Sequence, residues 1–200
     1  MLMKPLLLSL LLSISAFSIA CDDHAAHKAA NAVAIPIGNS LYQIDVPLMD
    51  QAGNTFKLAD EQAKMTIITM FYGDCNLSCP IVMENVKRTI EAVPLAQRKN
   101  IRALLISLNP GIDTPKSLAG LAKVHQFDPA TYRLAVSDND SHTRQIAASL
   151  GVKYRRAANG EINHNTRFVL MNQQGIIIKI SDTLSITPDS GILAAIQANL

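Results

Sequence analysis

An apolar stretch that leads directly into two cysteines constrains this chain more than any other feature. Residues 67–72 form a short run, rich in β-branched and aromatic side chains, that ends at Gly73. Such a run predicts a buried central strand. Cys75 and Cys79 follow, with three residues between them, and Pro80 comes next. The strand, the cysteines and the proline therefore have to be accommodated together in any fold.

The segment that starts at Pro80 predicts a helix. Its apolar residues recur at helical spacing, at Ile81, Val82, Val86, Ile90 and Val93. Proline suits the first helical position because its missing N–H would have no partner within the helix. The cysteines are thus predicted to lie in a strand-to-helix turn, with Cys79 at the positive end of a helix dipole. We expect that position to lower the pKa of the thiol and to favour the thiolate, which attacks disulfides and binds metals.

Residues 1–20 are predicted to be an export signal. A short basic start is followed by a nearly all-apolar stretch, and small residues precede Cys21. The apolar stretch is short for a membrane-spanning helix. The segment 18–21 resembles a bacterial lipoprotein signal, in which Cys21 would be lipidated. Ordinary secretion and an uncleaved anchor are the alternatives. In lipoproteins of this type, Asp22 would favour retention at the inner membrane.

The rest of the chain is predicted to comprise a tether and one domain. Residues 21–40 are Ala-rich and polar without a usable period, which indicates a flexible tether; its His24 and His27 are interpreted as solvated spacer residues. Residues 41–200 are long enough for one α/β domain. With 48% hydrophobic residues, 17% charged residues and a net charge of +2 spread along the chain, the composition indicates a globular protein and gives no support for nucleic-acid binding. A monomer is the default expectation.

Strands alternate with helices along the predicted domain. The predicted strands are 41–46 and 55–58 (an N-terminal β-hairpin), 67–72, 101–108, 132–136, 168–171 and 176–180. The predicted helices start at Pro80, span 115–127 and 140–150, and run from about 187 to the end. This order predicts a mixed central sheet with helices on both faces. A cysteine pair between the first core strand and its helix makes a thioredoxin-like fold the expected α/β architecture.

Two thiols in one turn support two kinds of chemistry. They can cycle between dithiol and disulfide, with Cys75 as the attacking thiol and Cys79 as the resolving one. They can also chelate a soft metal ion, Cu(I) or zinc, in which case a third ligand is needed. An inert disulfide is the structural alternative, although so short a loop gains little from closure. Because exported space is oxidising, a reactive pair there must be kept reduced by a partner, held by a metal or left as a disulfide.

Three histidines lie in the predicted domain. His125 falls within a predicted helix and His142 near the start of another, so both are interpreted as surface or capping residues. His164 lies just before the predicted strand 168–171. From its position alone, a structural role is the more common one for such a residue.

In order along the chain, three elements resemble the Sco/SenC family. They are the cysteine turn, the segment 107–110 with 113–115, and His164 ahead of a strand, a turn and Gly175. The resemblance runs from about residue 44 to residue 182. The chain departs from the family pattern at Gly73, Asn76, Asn109 and Asn165, and none of these departures removes a predicted ligand.

The resemblance implies a membrane-tethered, thioredoxin-fold copper protein. Family members bind Cu(I) or Cu(II) through both cysteines and the histidine, which here are Cys75, Cys79 and His164. They help to build the binuclear copper site of cytochrome c oxidase by delivering copper, reducing the site's cysteines, or both. The implied partners are that oxidase subunit or another copper acceptor, a thiol reductant, and the membrane. The implied location is the periplasmic side of the inner membrane, with a soluble periplasmic protein as the alternative. A periplasmic thiol-disulfide reductase without obligatory metal is the second functional hypothesis.

Overall fold

The computed structural model describes residues 39–75 and 78–200. Its strands are β1 (Leu48–Asp50), β2 (Thr55–Phe56), β3 (Met65–Phe71), β4 (Ile101–Ser107), β5 (Tyr132–Ser137), β6 (Tyr154–Arg156), β7 (Ile162–His164), β8 (Phe168–Asn172) and β9 (Ile177–Ser181). Its helices are α1 (Cys79–Glu91), α2 (Leu95–Arg98), α3 (Pro115–Val124), α4 (Asp140–Leu150) and α5 (Ser190–Asn199). The predicted signal, Cys21, and nearly all of the predicted tether with His24 and His27 lie outside the described residues.

Seven strands form one mixed sheet in the order β2-β1-β5-β4-β3-β8-β9. The central strands β3, β4 and β5 are parallel, whereas β1, β2, β8 and β9 join antiparallel to their neighbours. Buried side chains of α1, α3 and α5 pack on one face of this sheet, and those of α4 pack on the other. The predicted mixed sheet with helices on both faces is confirmed. Among the described residues, no helix is both long and apolar enough to cross a membrane.

Strand β3 occupies the centre of the sheet, and all seven of its side chains are buried. It pairs with β4 on one side and β8 on the other. The N–H of Leu108 continues the ladder beyond β4 by donating to the carbonyl of Phe71 at 2.6 Å. A strand buried on both faces is mostly apolar, which is why the run 67–72 could be recognised from the sequence.

The predicted strand 41–46 is wrong. Leu41–Gln43 form a 3₁₀ turn, because the Ser40 side chain accepts the N–H of Tyr42 and caps it. The N-terminal hairpin instead consists of β1 and β2. Its turn is held by the Asp50 carboxylate, which accepts the N–H groups of Ala52 and Asn54, each at 2.9 Å.

Helix ends follow the local backbone signals. Helix α4 matches the predicted span and stops at Gly151, whose φ of 71° is left-handed. Helix α3 ends three residues earlier than predicted. Gln126 adopts a left-handed φ of 55°, and the N–H of Phe127 turns back to the carbonyl of Ala122 at 2.9 Å. This paired end satisfies carbonyls of the last turn, but no glycine marks it in the sequence.

Candidate metal centre

Cys75 lies in the turn between β3 and α1, and Cys79 lies at the start of α1, as predicted. Helix α1 begins at Cys79, its N-cap is Ser78, and Pro80 lies in its first turn. The N–H of Cys79 points to the sulfur of Cys75, with 3.4 Å between N and Sγ. The Ser78 hydroxyl lies 3.5 Å from the same sulfur. The start of a helix therefore brings the two thiols together in one short turn.

Burial reverses the expected effect of the helix dipole on Cys79. Its side chain is 2% exposed, and that of Cys75 is 8% exposed. Burial raises the pKa of the Cys79 thiol to about 12, and a hydrogen bond from the backbone of Tyr72 only partly opposes this. The prediction of a lowered pKa at this position is wrong, because loss of hydration penalises the thiolate more than the helix N-terminus favours it. The two cysteines are not joined in a disulfide.

His164 is the last residue of β7, in a small hairpin where it pairs with Tyr154 of β6. Its Nδ1 lies 3.1 Å from the carbonyl oxygen of Asn165, so Nδ1 carries the proton and donates it. Burial lowers the pKa of His164, so the ring is neutral at pH 7. Its Nε2 is buried and has no hydrogen-bond partner among the described residues. A neutral imidazole with an unused lone pair on Nε2 is the form that ligates metals.

Tyr72 connects the histidine to the cysteine turn. Its ring meets the His164 ring edge-on, with 6.0 Å between the centroids and 78° between the planes. Burial raises the pKa of the Tyr72 hydroxyl, and a hydrogen bond with Cys75 raises it further. The backbone of Ile162 in β7 also hydrogen-bonds to this hydroxyl. Sequence reasoning missed this residue, although an aromatic side chain at the end of the strand that leads to the cysteines was a usable signal.

The three predicted ligands are neighbours without forming a closed cluster. Within residues 39–75 and 78–200, no group of three His, Cys, Asp or Glu side chains is arranged so that it could hold a metal ion. The structure thus brings Cys75 and Cys79 together and places His164 beside them through Tyr72. To join both sulfurs on one ion, the histidine would have to approach the turn.

A buried carboxylate, that of Asp113, accepts a hydrogen bond from the segment that leads into the cysteine turn. Asp113, which is 5% exposed, accepts the N–H of Gly73 at 3.0 Å and the hydroxyl of Ser107. A side chain at Gly73 would overlap this carboxylate. The sequence singled out the segments 107–110 and 113–115 without assigning them a role. In the structure they hold Gly73, two residues before Cys75.

The other two histidines have structural roles, as predicted. His125 follows the last turn of α3, and its ring stacks on Phe127 with 5.4 Å between centroids. His142 lies in the first turn of α4, where its ring pairs with Asp138.

Comparison with known proteins identifies relatives of this chain. The family model described as SCO1/SenC matches residues 37–199. A SCO1/SenC family lipoprotein from Bacillus anthracis has a similar structure, with a TM-score of 0.69 and 19% identity over 76% of this chain and 91% of that one. Arabidopsis thaliana ScoI with copper bound has a TM-score of 0.66 and 18% identity over 76% of this chain and 96% of that one. Bradyrhizobium japonicum ScoI with copper bound has a TM-score of 0.61 and 22% identity over 78% of this chain and 97% of that one. These likenesses confirm the thioredoxin-like fold.

Proposed function

This chain belongs to the SCO1/SenC family, and from that premise we propose that it binds copper and passes it to an acceptor protein. The copper is cargo, held between Cys75, Cys79 and His164. The proposed acceptor is the binuclear copper site of cytochrome c oxidase or another copper-accepting protein. We further propose that Cys21 is lipidated and tethers the domain to the periplasmic face of the inner membrane.

The observation that carries this proposal is the unused Nε2 of His164. A buried nitrogen without a hydrogen-bond partner costs roughly 1–3 kcal/mol, and a metal ion bound by that nitrogen would offset the cost. Its ring contacts Tyr72, which hydrogen-bonds to Cys75. Thiol exchange does not require such a nitrogen, whereas a three-ligand copper site does.

The donor set suits copper. Thiolates and imidazole are ligands that copper prefers over hard oxygen ligands, and two sulfurs with one nitrogen accommodate both Cu(I) and Cu(II). Copper binding would release the protons of both thiols, since the metal binds thiolates. The carbonyl of Asn165 orients the imidazole by holding the Nδ1 proton. The ring of Tyr72 contacts the imidazole edge-on.

Thiol-disulfide exchange is the second candidate, favoured by the contact between the Cys79 N–H and the Cys75 sulfur. The Cys75 thiolate would attack a partner disulfide, forming a mixed disulfide and releasing one partner thiol. Cys79 would then attack the Cys75 sulfur and release the second partner thiol. The partner gains two electrons and two protons, and the chain becomes a Cys75–Cys79 disulfide that a thiol reductant has to reopen. This reaction and copper transfer are compatible in one protein.

A copper titration of the reduced full chain in neutral detergent tests the site. We expect one copper per chain in the wild type, and at least about tenfold weaker binding in His164→Ala, since metal sites lose ~10–100-fold in affinity even when an outer-shell partner is removed. Both thiols should still titrate in the variant. His142→Ala is the matched control and should bind like the wild type. Equal copper affinity in wild type and His164→Ala would contradict the three-ligand site and leave the reductase as the better function.

The tether has its own test. A Cys21→Ser chain should lose incorporation of labelled fatty acid and move from the membrane fraction to the soluble periplasm. Unchanged labelling would contradict lipidation at this cysteine.

A further inference from the structure

Positive charge is concentrated in the part of the chain that carries His164. Residues 141–167 include five lysine or arginine residues and one acidic residue, Glu161, whereas the whole chain has 18 basic and 16 acidic residues. The rest of the chain therefore carries a net negative charge. A charge separation of this kind produces a local positive potential that the overall charge of +2 conceals.

The register of the hairpin β6–β7 places two of these cations on its outer face. Tyr154 pairs with His164, and Arg155 pairs with Asn163. Because side chains alternate between the two faces of a strand, Arg155 and Asn163 point away from the face that carries His164. Lys153 exchanges hydrogen bonds with the next residue along, Asn165, and so lies on the same face as Arg155. The outer face, defined here as Lys153, Arg155, Asn163 and Asn165, is exposed at all four positions.

The two cations on the outer face are not neutralised within the domain. Neither Lys153 nor Arg155 takes part in an ion pair formed by the described residues. Their basic neighbours do have internal partners. Arg156 donates to the side-chain oxygen of Asn109 at 2.8 Å, and Arg167 pairs with Asp182. The outer face thus combines two unpaired cations with two amides and no carboxylate.

We infer that this outer face is the docking surface for an acidic partner protein. The inference rests on the proposed function, in which His164 on the same hairpin is a copper ligand. A partner seated there would hold the strand that supplies His164. Both thiols would remain on the opposite side of that strand, where the ring of His164 contacts Tyr72. Complementary charge would speed the encounter more than it would strengthen the complex.

The position of the chain entry favours a protein over a lipid surface. Ser40 forms a bridge with Ile176 and donates to the carbonyl of Gln174 at 2.7 Å. That turn follows β8, whose last residue pairs with Met65 at the start of β3. The cysteine turn follows the other end of β3, roughly 20 Å away for a strand of this length. The segment that would lead to a membrane therefore enters the domain at the end of the sheet opposite to the site.

Charge reversal combined with backbone-amide mapping tests this inference on the full chain. The probe is octaglutamate, added to ¹⁵N-labelled protein in neutral detergent at low salt. We expect amide shifts confined to residues 153–156 and 163–165, and at least a tenfold loss of octaglutamate affinity in the double variant Lys153→Glu/Arg155→Glu. The matched control is Lys64→Glu/Lys99→Glu, which makes the same charge change at exposed positions just before β3 and β4. Its octaglutamate affinity should stay within about twofold of the wild type.

Three outcomes would overturn the inference. They are shifts centred elsewhere, equal loss of affinity in both double variants, and amide shifts of the outer face with vesicles containing phosphatidylglycerol that exceed those with octaglutamate. Copper titration of Lys153→Glu/Arg155→Glu separates the two proposals, because neither residue is a proposed ligand. Copper binding with no octaglutamate effect would refute docking alone. An octaglutamate effect without copper binding in the wild type would refute the copper function alone.

Discussion

The cysteine turn and the hairpin that carries His164 are held in the domain in different ways. The turn follows β3, which is buried throughout and hydrogen-bonded on both sides. The hairpin has two strands of three residues that form a separate two-stranded sheet, and most of its side chains are at least partly exposed. Two-stranded hairpins are marginally stable by themselves. One half of the candidate site is therefore anchored in the core, while the other half rests on a few contacts.

This contrast suits a protein that has to release its cargo. A ligand on a weakly held element can join or leave the metal without unfolding the core. Three contacts hold the hairpin. Ile162 is buried on the face of the sheet that carries α4, and its backbone hydrogen-bonds to the Tyr72 hydroxyl. Arg156 donates a hydrogen bond to the side chain of Asn109. The predictions below test this difference, from the largest expected effect to the smallest.

Amide hydrogen exchange should separate the two regions most clearly. We expect the amides of β3 to exchange only through global unfolding, and those of β6 and β7 to exchange through local opening, roughly 10³-fold faster. Exchange measured by NMR or mass spectrometry on the metal-free chain checks this. Equal protection in both regions would remove the distinction. If copper bridges the two halves, adding it should slow exchange in β6 and β7 and leave β3 unchanged.

Removing the Asp113 carboxylate, which holds the start of the cysteine turn, should lower the free energy of unfolding more than the other substitutions considered below. Asp113→Ala leaves the N–H of Gly73 and the hydroxyl of Ser107 without their acceptor. We expect the free energy of unfolding to fall by about 3 kcal/mol, because buried polar groups lose a charged partner. Urea denaturation measures it, with Asp113→Asn as the shape-matched control that should lose less. A loss below about 1 kcal/mol would show that the turn does not depend on this carboxylate.

Replacing His164 by an apolar residue should instead raise the free energy of unfolding of the metal-free chain. In His164→Leu the buried Nε2 that has no partner among the described residues is removed. We expect the metal-free chain to become more stable by about 1 kcal/mol, while copper binding becomes at least about tenfold weaker. Denaturation with and without copper measures both effects. A clear loss of stability in the metal-free chain would indicate that the imidazole serves the fold.

The smallest effect should come from the ion pair beside the hairpin, between Arg167 and Asp182. The guanidinium holds the pKa of Asp182 below its usual range, mainly through their hydrogen bond. A lowered carboxyl pKa contributes stability that is complete above the ordinary value of 3.8 and is lost as the pH falls through the lowered one. Since the pair is exposed, Asp182→Asn should cost at most about 1 kcal/mol at pH 7. That difference should shrink as the pH falls below 3.8; a difference that did not change with pH would have another cause.

Much of the fold followed from local patterns. The bounds of α4 came from its spacing and Gly151, and β3 came from an apolar run that only Thr69 interrupts. The hairpin β6–β7 was missed because its strands are short, polar and exposed, so they have no periodicity that distinguishes them from a loop. The strand predicted at 41–46 failed because a side-chain cap at Ser40 forms a 3₁₀ turn, which alternation in the sequence does not reveal.

For the candidate site, the sequence alone determined that Cys75 and Cys79 share a strand-to-helix turn, because strand and helix signals are local and meet there. His164 was distinguished from other histidines only by resemblance to a family. Three properties became visible only in the tertiary structure. They are the missing hydrogen-bond partner of His164 Nε2 among the described residues, the contact of the His164 ring with Tyr72, and the raised pKa of Cys79. Each of these depends on how deeply a group is buried and on what lies next to it across the fold. Burial and long-range neighbours are properties of the packed chain, and no local pattern of residues encodes them.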